Sequence, residues 1–324
     1  MKTSQPELSV IVIVHNMPAQ AMNTLYSLAS RYQRGVSDQD YEVQVVENDA
    51  GNNLDPAAVK ALGSNFHYQL RAEAGVSPAP AINEALARCS GRHVGLLIDG
   101  ARMVTPQVIK YALQALRIDG AVVAVPGYYL TEQGREEGDA AAILAHEETL
   151  LADLGWEADG YQLFRHACFS NGNRRGYMAP LMECNALFCE RELLLRLGGA
   201  DERFTFRGGG ALNLHLYRRL ATAPGTELIM LAGEGNFHQF HGGTSTTAGE
   251  ERNALVKIFK QQLDEMWPGG FKSVRREPVL FGTVGRLALP FLETSLRNTT
   301  ERFERFAGDG RDPWEDEPEK LSAL

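Results

Sequence analysis

The sequence has no apolar run approaching the roughly 20 residues that a membrane-spanning helix needs. Its N-terminal stretch MKTSQPELSVIVIVHN is apolar only over residues 9–14. A secretory leader would show a longer apolar region behind positive charge, so neither a leader nor a spanning helix is expected. Basic residues do not predominate: 32 Lys and Arg face 41 Asp and Glu, for a net charge of −9 and a pI near 5.5. That balance excludes a protein built to coat nucleic acid, which needs clustered positive charge. Cysteine is scarce, and Cys89, Cys168, Cys184 and Cys189 form no CxxC pair, so no zinc ribbon or redox motif is indicated. Scattered thiols of this kind suit a reducing cytoplasm. The turn after the first apolar run, His15-Asn16-Met17-Pro18, holds no glycine, lysine or arginine. It therefore lacks both the basic Gly-rich loop of a nucleotidyltransferase and the GxGxxG of a dinucleotide binder.

What is present is ordinary globular material: 324 residues, 44% apolar and 23% charged. That is enough for a large core in one elaborated domain or two small ones. The partners left open are small molecules, sugars and proteins. Residues 9–14 (SVIVIV) form a continuous β-branched run, the pattern of a central parallel strand covered on both faces. A helix is expected over 19–31, with Met22, Leu25, Leu28 and Ala29 on one face. A strand at 41–46 leads into a polar loop at 47–52. Next come a helix at 56–62, a short strand at 66–70, a helix at 79–89 and a strand at 93–98. Strand and helix alternating through short connections predict a doubly wound parallel sheet.

A helix at 106–117 and a strand at 121–126 extend the pattern, and regularity then falls away over 128–180, apart from a helix at 140–154. A long excursion of this kind is usually functional. Helices are expected again at 190–197, 212–220 and 248–266, with a strand at 227–231. The apolar stretch 281–292 is expected to pack as a final helix, pair with a second copy, or touch a membrane surface. The polar, acidic tail 308–324 is expected to be disordered. The chain thus divides into a first half (1–126), a second half of the same domain (127–245), a C-terminal helical segment (246–307) and the tail.

Ligands of open parallel sheets bind beyond the C-terminal strand ends. Three such ends here are polar: His15-Asn16, Glu47-Asn48-Asp49 and Asp99-Gly100-Ala101. A carboxylate at the second can accept from a base or ribose, and one at the third can reach a divalent cation on a diphosphate. Taken singly, each also reads as an ordinary polar strand end. The later segment GNFHQFHGGTST holds His238 and His241 three apart. In extended chain they face opposite sides, whereas a turn would bring them together. Imidazole suits Mn²⁺, and a strand-end histidine satisfied by backbone is the bland alternative. Arg71 and Arg102 are candidates to neutralise a diphosphate, and Trp156, Tyr161 and Trp267 are candidates to stack on a sugar ring.

In order, SVIVIVHN, VQVVENDAGN, AGVSPAPAINEALARCSG and HVGLLIDGARMVTP resemble the opening of a family 2 glycosyltransferase. The resemblance implies a GT-A-like α/β fold: a Rossmann-related, mostly parallel sheet flanked by helices, with an acceptor-side extension. It implies a UDP-, GDP- or dTDP-sugar donor, held by His15, Asn16, Glu47, Asn48, Arg71, Asn83, Asp99 and Gly100. By the same resemblance Glu47 reads the nucleoside, Gly75 and Asn83 belong to a Gly…Asn helix segment, and Asp99 opens a DxD motif. The second carboxylate of that motif is replaced by Ala101. A late histidine stands beside the DxD in some such enzymes, which makes Asp99, His238 and His241 the expected site for Mn²⁺ or Mg²⁺.

The segment MECNALFCERELLLRLGGADER resembles the acceptor side of the family, where Asn185, Gly199 and Asp201 would line or shape the site. The acidic general base expected next, in GEDxDL, is missing from the stretch Gly208-Gly209-Gly210-Ala211-Leu212-Asn213-Leu214. A sugar hydroxyl needs a base at neutral pH. Asp201 and Glu183 are the candidates, and His215 reads as a packing residue. The expected reaction is inverting transfer of a hexose-type sugar to a hydroxyl of a glycan, lipid-linked or small-molecule acceptor. The alternative is a nucleotide-sugar binder of the same fold without turnover.

Overall fold

The computed structural model describes residues 5–72, 75–131, 139–241, 249–267 and 269–315. Strand β1 (Leu8–Val14) is buried along its whole length, as its unbroken apolar run requires. Helix α1 (Pro18–Leu28) starts on a proline, whose fixed φ suits a first turn. Strand β2 (Tyr41–Asn48) follows, then α2 (Pro56–Lys60), capped by Asp55 accepting from the Ala57 N–H. Strand β3 (Phe66–Arg71), helix α3 (Ala79–Arg88) and strand β4 (His93–Leu97) complete the first half of the sheet.

The chain then adds β5 (Arg102–Val104), α4 (Val108–Ala115), β6 (Ala121–Ala124), β7 (Gly127–Tyr129) and α5 (Ala140–Leu154). Next come β8 (Cys168–Phe169), β9 (Ala186–Glu190), α6 (Arg191–Arg196), α7 (Leu212–Ala221), β10 (Glu227–Leu231) and β11 (Asn236–His238). Helix α8 (Gly249–Met266), β12 (Val279–Phe281) and α9 (Leu289–Gly308) close the described chain.

Eight strands form the main sheet in the order β12-β10-β6-β9-β4-β1-β2-β3. All pairs are parallel except those of β9, which runs antiparallel between β4 and β6. Side chains alternate across the sheet. Val10, Val12 and Val14 join α1, α2 and α4 in one core, while Ile11 and Ile13 join α3, α6 and α7 in the other. A Cβ on Gly95 would lie 2.5 Å from the Phe188 ring, so glycine lets β4 and β9 approach at the centre. A second sheet, β5-β11-β7-β8, stands apart from the first.

Several expectations change. Strand β2 runs on through Glu47 and Asn48, so these are strand residues and not loop. Strand β9, from the second half of the sequence, lies inside the sheet built by the first, so the two halves interleave in space. The stretch 281–292 is not one helix: Phe281 ends β12 on the sheet edge, and α9 starts only at Leu289. The tail is ordered at its start, where Trp314 is buried, packs edge-on against Phe303 and donates to Glu277. The remaining tail residues, 316–324, and the GGTST stretch at 242–246 lie outside the described residues. Among the described residues no helix is long and apolar enough to cross a membrane.

Candidate active site

The small sheet delivers one half of the site. Strand β5 leaves the end of β4 and pairs antiparallel with β11, setting His238 opposite Arg102. His238 is the last residue of β11, and just past it the Gln239 N–H donates to the Ala101 carbonyl at 2.9 Å, one position beyond the β5 pairing. The regular strand has ended before His241, and the two rings meet instead of facing opposite sides as an i, i+3 pair would in extended chain. The Nε2 atoms of His238 and His241 lie 3.0 Å apart. Asp99 Oδ2 is 3.0 Å from His238 Nε2 and 3.6 Å from His241 Nε2.

All three ligand atoms fall within 4.8 Å of one another. Donors placed cis around one octahedral ion at roughly 2.1 Å lie about 3 Å apart, the spacing His238 keeps from both partners. Two imidazoles and one carboxylate suit Mn²⁺ and other first-row divalent ions. Burial drives the His238 pKa down to about 4, which keeps a nitrogen lone pair available. Burial opposes ionisation of Asp99, but the His241 and His238 rings outweigh it and hold its carboxyl well below the usual range. The Arg102 Nε, itself buried, sits 3.3 Å from Asp99 Oδ2, and the Ala101 N–H donates to Asp99 Oδ1 at 3.1 Å. Arg102 is therefore not a solvated surface charge.

The ends of the adjacent strands β1, β2 and β4 bring a second set together. Glu47 is 0% exposed; its Oε2 accepts from the Leu54 N–H and the Tyr68 hydroxyl at 2.9 and 2.7 Å. Its Oε1 has no partner, and burial raises its pKa. A buried carboxylate oxygen left open is costly unless something donates to it. Asn48 donates to the Ser77 carbonyl and accepts from Arg71, whose Nε also pairs with Glu84 at 2.6 Å. His15 Nδ1 lies 3.2 Å from the Asn48 carbonyl oxygen. Asn16 has a φ of 55°, the one non-glycine residue with positive φ among those described. A Cβ on Gly100 would lie 3.0 Å from the Ile13 carbonyl oxygen and from Val14 Cγ2, so these strand ends meet closely at the glycine.

Asn83 differs from this set. Both ends of its amide are spent on the backbone of Ala200, and it also donates to Glu202, so it braces the loop before Asp201. The sugar-stacking expectation is corrected as well. Trp156 is buried in the core with Tyr26 and Tyr32 edge-on to it, and the Tyr161 hydroxyl is committed to Glu234. Trp267 is covered by the Arg218 guanidinium at 3.7 Å and donates to His215 Nδ1.

The two acidic candidates sit in contrasting surroundings. Glu183 Oε2 accepts from Asn213 at 2.5 Å, and the same amide reaches Asn185. Burial raises the Glu183 pKa, while Arg102 pulls it down and Asp99 pushes it up, so this carboxyl shares the electrostatic field of the Asp99 cluster. A Cβ on Gly172 would strike Glu183 Cγ at 2.4 Å, so glycine makes its space. Asp201 is gripped by Arg203 at 2.6 Å, which lowers its pKa, with His215 Nε2 3.9 Å away. Sequence reasoning missed Asn213, Gln239 and Glu147. The last is a buried carboxylate on a helix whose only other buried residue is Leu151, and nothing in its local pattern sets it apart.

The sequence profile of glycosyl transferase family 2 matches residues 9–178. No curated protein matches the chain. Among solved structures, the mannosyltransferase PcManGT from Pyrobaculum calidifontis, in complex with GDP-Man and Mn²⁺, is similar at 17% identity and a TM-score of 0.50. The match covers 94% of this chain and 76% of that one. S. aureus TarS is similar at 15% identity and a TM-score of 0.48, over 80% of this chain and 40% of that one. The chain thus spans less than half the length of TarS. A large, mainly parallel sheet between helices, with a small second sheet, is the GT-A fold.

Proposed function

The chain belongs to glycosyl transferase family 2, and on that premise we propose that it transfers a hexose-type sugar from a nucleoside diphosphate donor to a hydroxyl acceptor. The observation that carries this reading is the buried Asp99–His238–His241 cluster, with ligand atoms 3.0 to 3.6 Å apart at the end of β4. These three residues would hold Mn²⁺ or Mg²⁺, which when bound offsets the charge of the donor diphosphate. Two histidines supply the donors that Ala101 cannot. Arg102 holds the Asp99 carboxylate in place and adds a fixed positive charge beside it.

The open Oε1 of Glu47 would accept from an N–H or O–H of the nucleoside, with His15, Asn16, Asn48, Arg71 and Gly100 shaping the same edge. Of the two acids, Glu183 fits the base better than Asp201. Its pKa is raised and it neighbours the Asp99 cluster, whereas Asp201 is already neutralised by Arg203. Glu183 would take the proton of the acceptor hydroxyl as that oxygen attacks the sugar from the face opposite the diphosphate, so the reaction inverts. The acceptor is a glycan, a lipid-linked sugar or a small molecule, and the setting is cytoplasmic. A second copy of the chain or a membrane surface would meet the exposed Leu289, Leu296 and Phe303 of α9.

Calorimetric titration with UDP, GDP and dTDP, with and without Mn²⁺, tests the donor site. One nucleotide should bind in a Mn²⁺-dependent way, and Asp99→Ala and His241→Ala should lose that dependence. No nucleotide binding by the wild-type protein would sink the donor reading. Ala101 and the glycines at 208–210 favour a second reading, a nucleotide-sugar binder without turnover. Tight binding with no nucleotide release, over a panel of sugars and acceptors, would select it.

A further inference from the structure

The two residues between the histidines, Gln239 and Phe240, are held on both sides by bonds from distant elements. The Phe240 N–H donates to Glu147 Oε2 at 2.7 Å, from α5. On its other side the Phe240 carbonyl accepts from Gln20 Nε2 at 3.1 Å, from α1. The Gln239 side chain is fixed in turn. Its Oε1 accepts from Asn23 at 2.9 Å, and its Nε2 donates to the Gln20 carbonyl at 2.9 Å and to Thr24 Oγ1 at 3.4 Å. With the Gln239 N–H on Ala101, every backbone polar group from the Gln239 N–H to the Phe240 carbonyl, the Gln239 carbonyl aside, is tied down by a named bond.

We propose that Glu147, with Gln20 and Gln239, is a positioning clamp that pre-sets His238 and His241 for a divalent cation. The proposal rests on the metal reading of the Asp99 cluster given above. Glu147 is 4% exposed, on a helix that otherwise buries only Leu151. A carboxylate there is costly to bury unless it is bonded, and an apolar replacement would leave the buried Phe240 N–H without its acceptor. The one backbone bond it makes falls on the residue between the two ligands, so its return lies in the geometry of the pair. Groups that orient metal ligands commonly change affinity 10- to 100-fold when removed. The excursion over 128–180 thereby acquires a second duty beside the acceptor: its helix α5 supports the late histidines.

The test is calorimetric titration of the full chain with Mn²⁺ alone, with Tm measured on each variant. Glu147→Leu should raise the Mn²⁺ Kd by about 10-fold or more while the protein still unfolds in one cooperative thermal transition. Glu147→Gln, which keeps an acceptor for the Phe240 N–H, should restore affinity to within a few-fold of wild type. Gln20→Ala, a half-buried site less exposed to misfolding, should weaken Mn²⁺ in the same direction. Wild-type affinity in both Glu147→Leu and Gln20→Ala, beside an His241→Ala that has lost it, would overturn the clamp alone. A wild-type protein that binds no Mn²⁺ would overturn the metal reading and the clamp with it.

Discussion

Glu234 lies just before β11, fully buried, and ties the strand that delivers His238 onto β5. Its Oε2 accepts from Thr105 Oγ1 at 2.5 Å and its Oε1 from the Tyr161 hydroxyl at 2.7 Å, while the Gly235 N–H donates back to Thr105 Oγ1. Burial pushes its carboxyl up from 4.5 to about 7. The folded chain therefore keeps this proton at a pH where the unfolded chain has released it. Its contribution to stability is fully present below about 4.5 and is lost as pH rises through about 7. A raised pKa of that size corresponds to about 3 kcal/mol.

Glu234→Gln keeps an acceptor for Thr105 and cannot ionise, so it escapes that loss. At roughly 2.1 cal/mol/K of unfolding entropy per residue, the difference amounts to about 4 to 5 °C in Tm for a chain of this length. Thermal unfolding followed by circular dichroism from pH 5 to 8.5 reads it directly. The gap between variant and wild type should be small at pH 5 and open in favour of the variant toward pH 8. Glu147, also raised by burial to about 7, titrates in both proteins and cancels in the comparison. Parallel Tm curves across the window would refute a neutral Glu234 in the folded chain.

Two further outcomes complete the set. Glu183→Gln should lower kcat by about 100- to 10,000-fold, with donor KM and Mn²⁺ affinity little changed. Because burial raises its pKa, wild-type activity should fall on the acid side at a pH above that of an ordinary glutamate, and the variant should lack that limb. Steady-state nucleotide release against pH checks both, and a kcat within threefold of wild type would remove Glu183 as the base. Gly95→Ala drives a methyl into the Phe188 ring, 2.5 Å from the new Cβ, and should cost about 1–3 kcal/mol of stability by urea unfolding.

The sequence by itself determined the parallel frame, because strand and helix periodicities are local. The β-branched run of β1, the alternation through β4 and the helix Ala140–Leu154 all follow from neighbours within a dozen residues. It also marked Glu47, Asp99, His238 and His241, since polar residues at the ends of buried strands stand out against apolar runs. The rest is non-local. Strand β9 sits between β4 and β6 from far along the chain, and short β5, β7, β8 and β11 carry too few residues to show a period. The tertiary structure alone decided that His238 and His241 face one another, because the segment between them is bonded by side chains of α1 and α5. It alone decided that Arg102, Glu183 and Asn213 join the Asp99 neighbourhood, and that Trp156 and Tyr161 are spent on the core. The physical reason is common to all of these: a side chain's role depends on which partners desolvate and bond it, and those partners come from elsewhere in the chain.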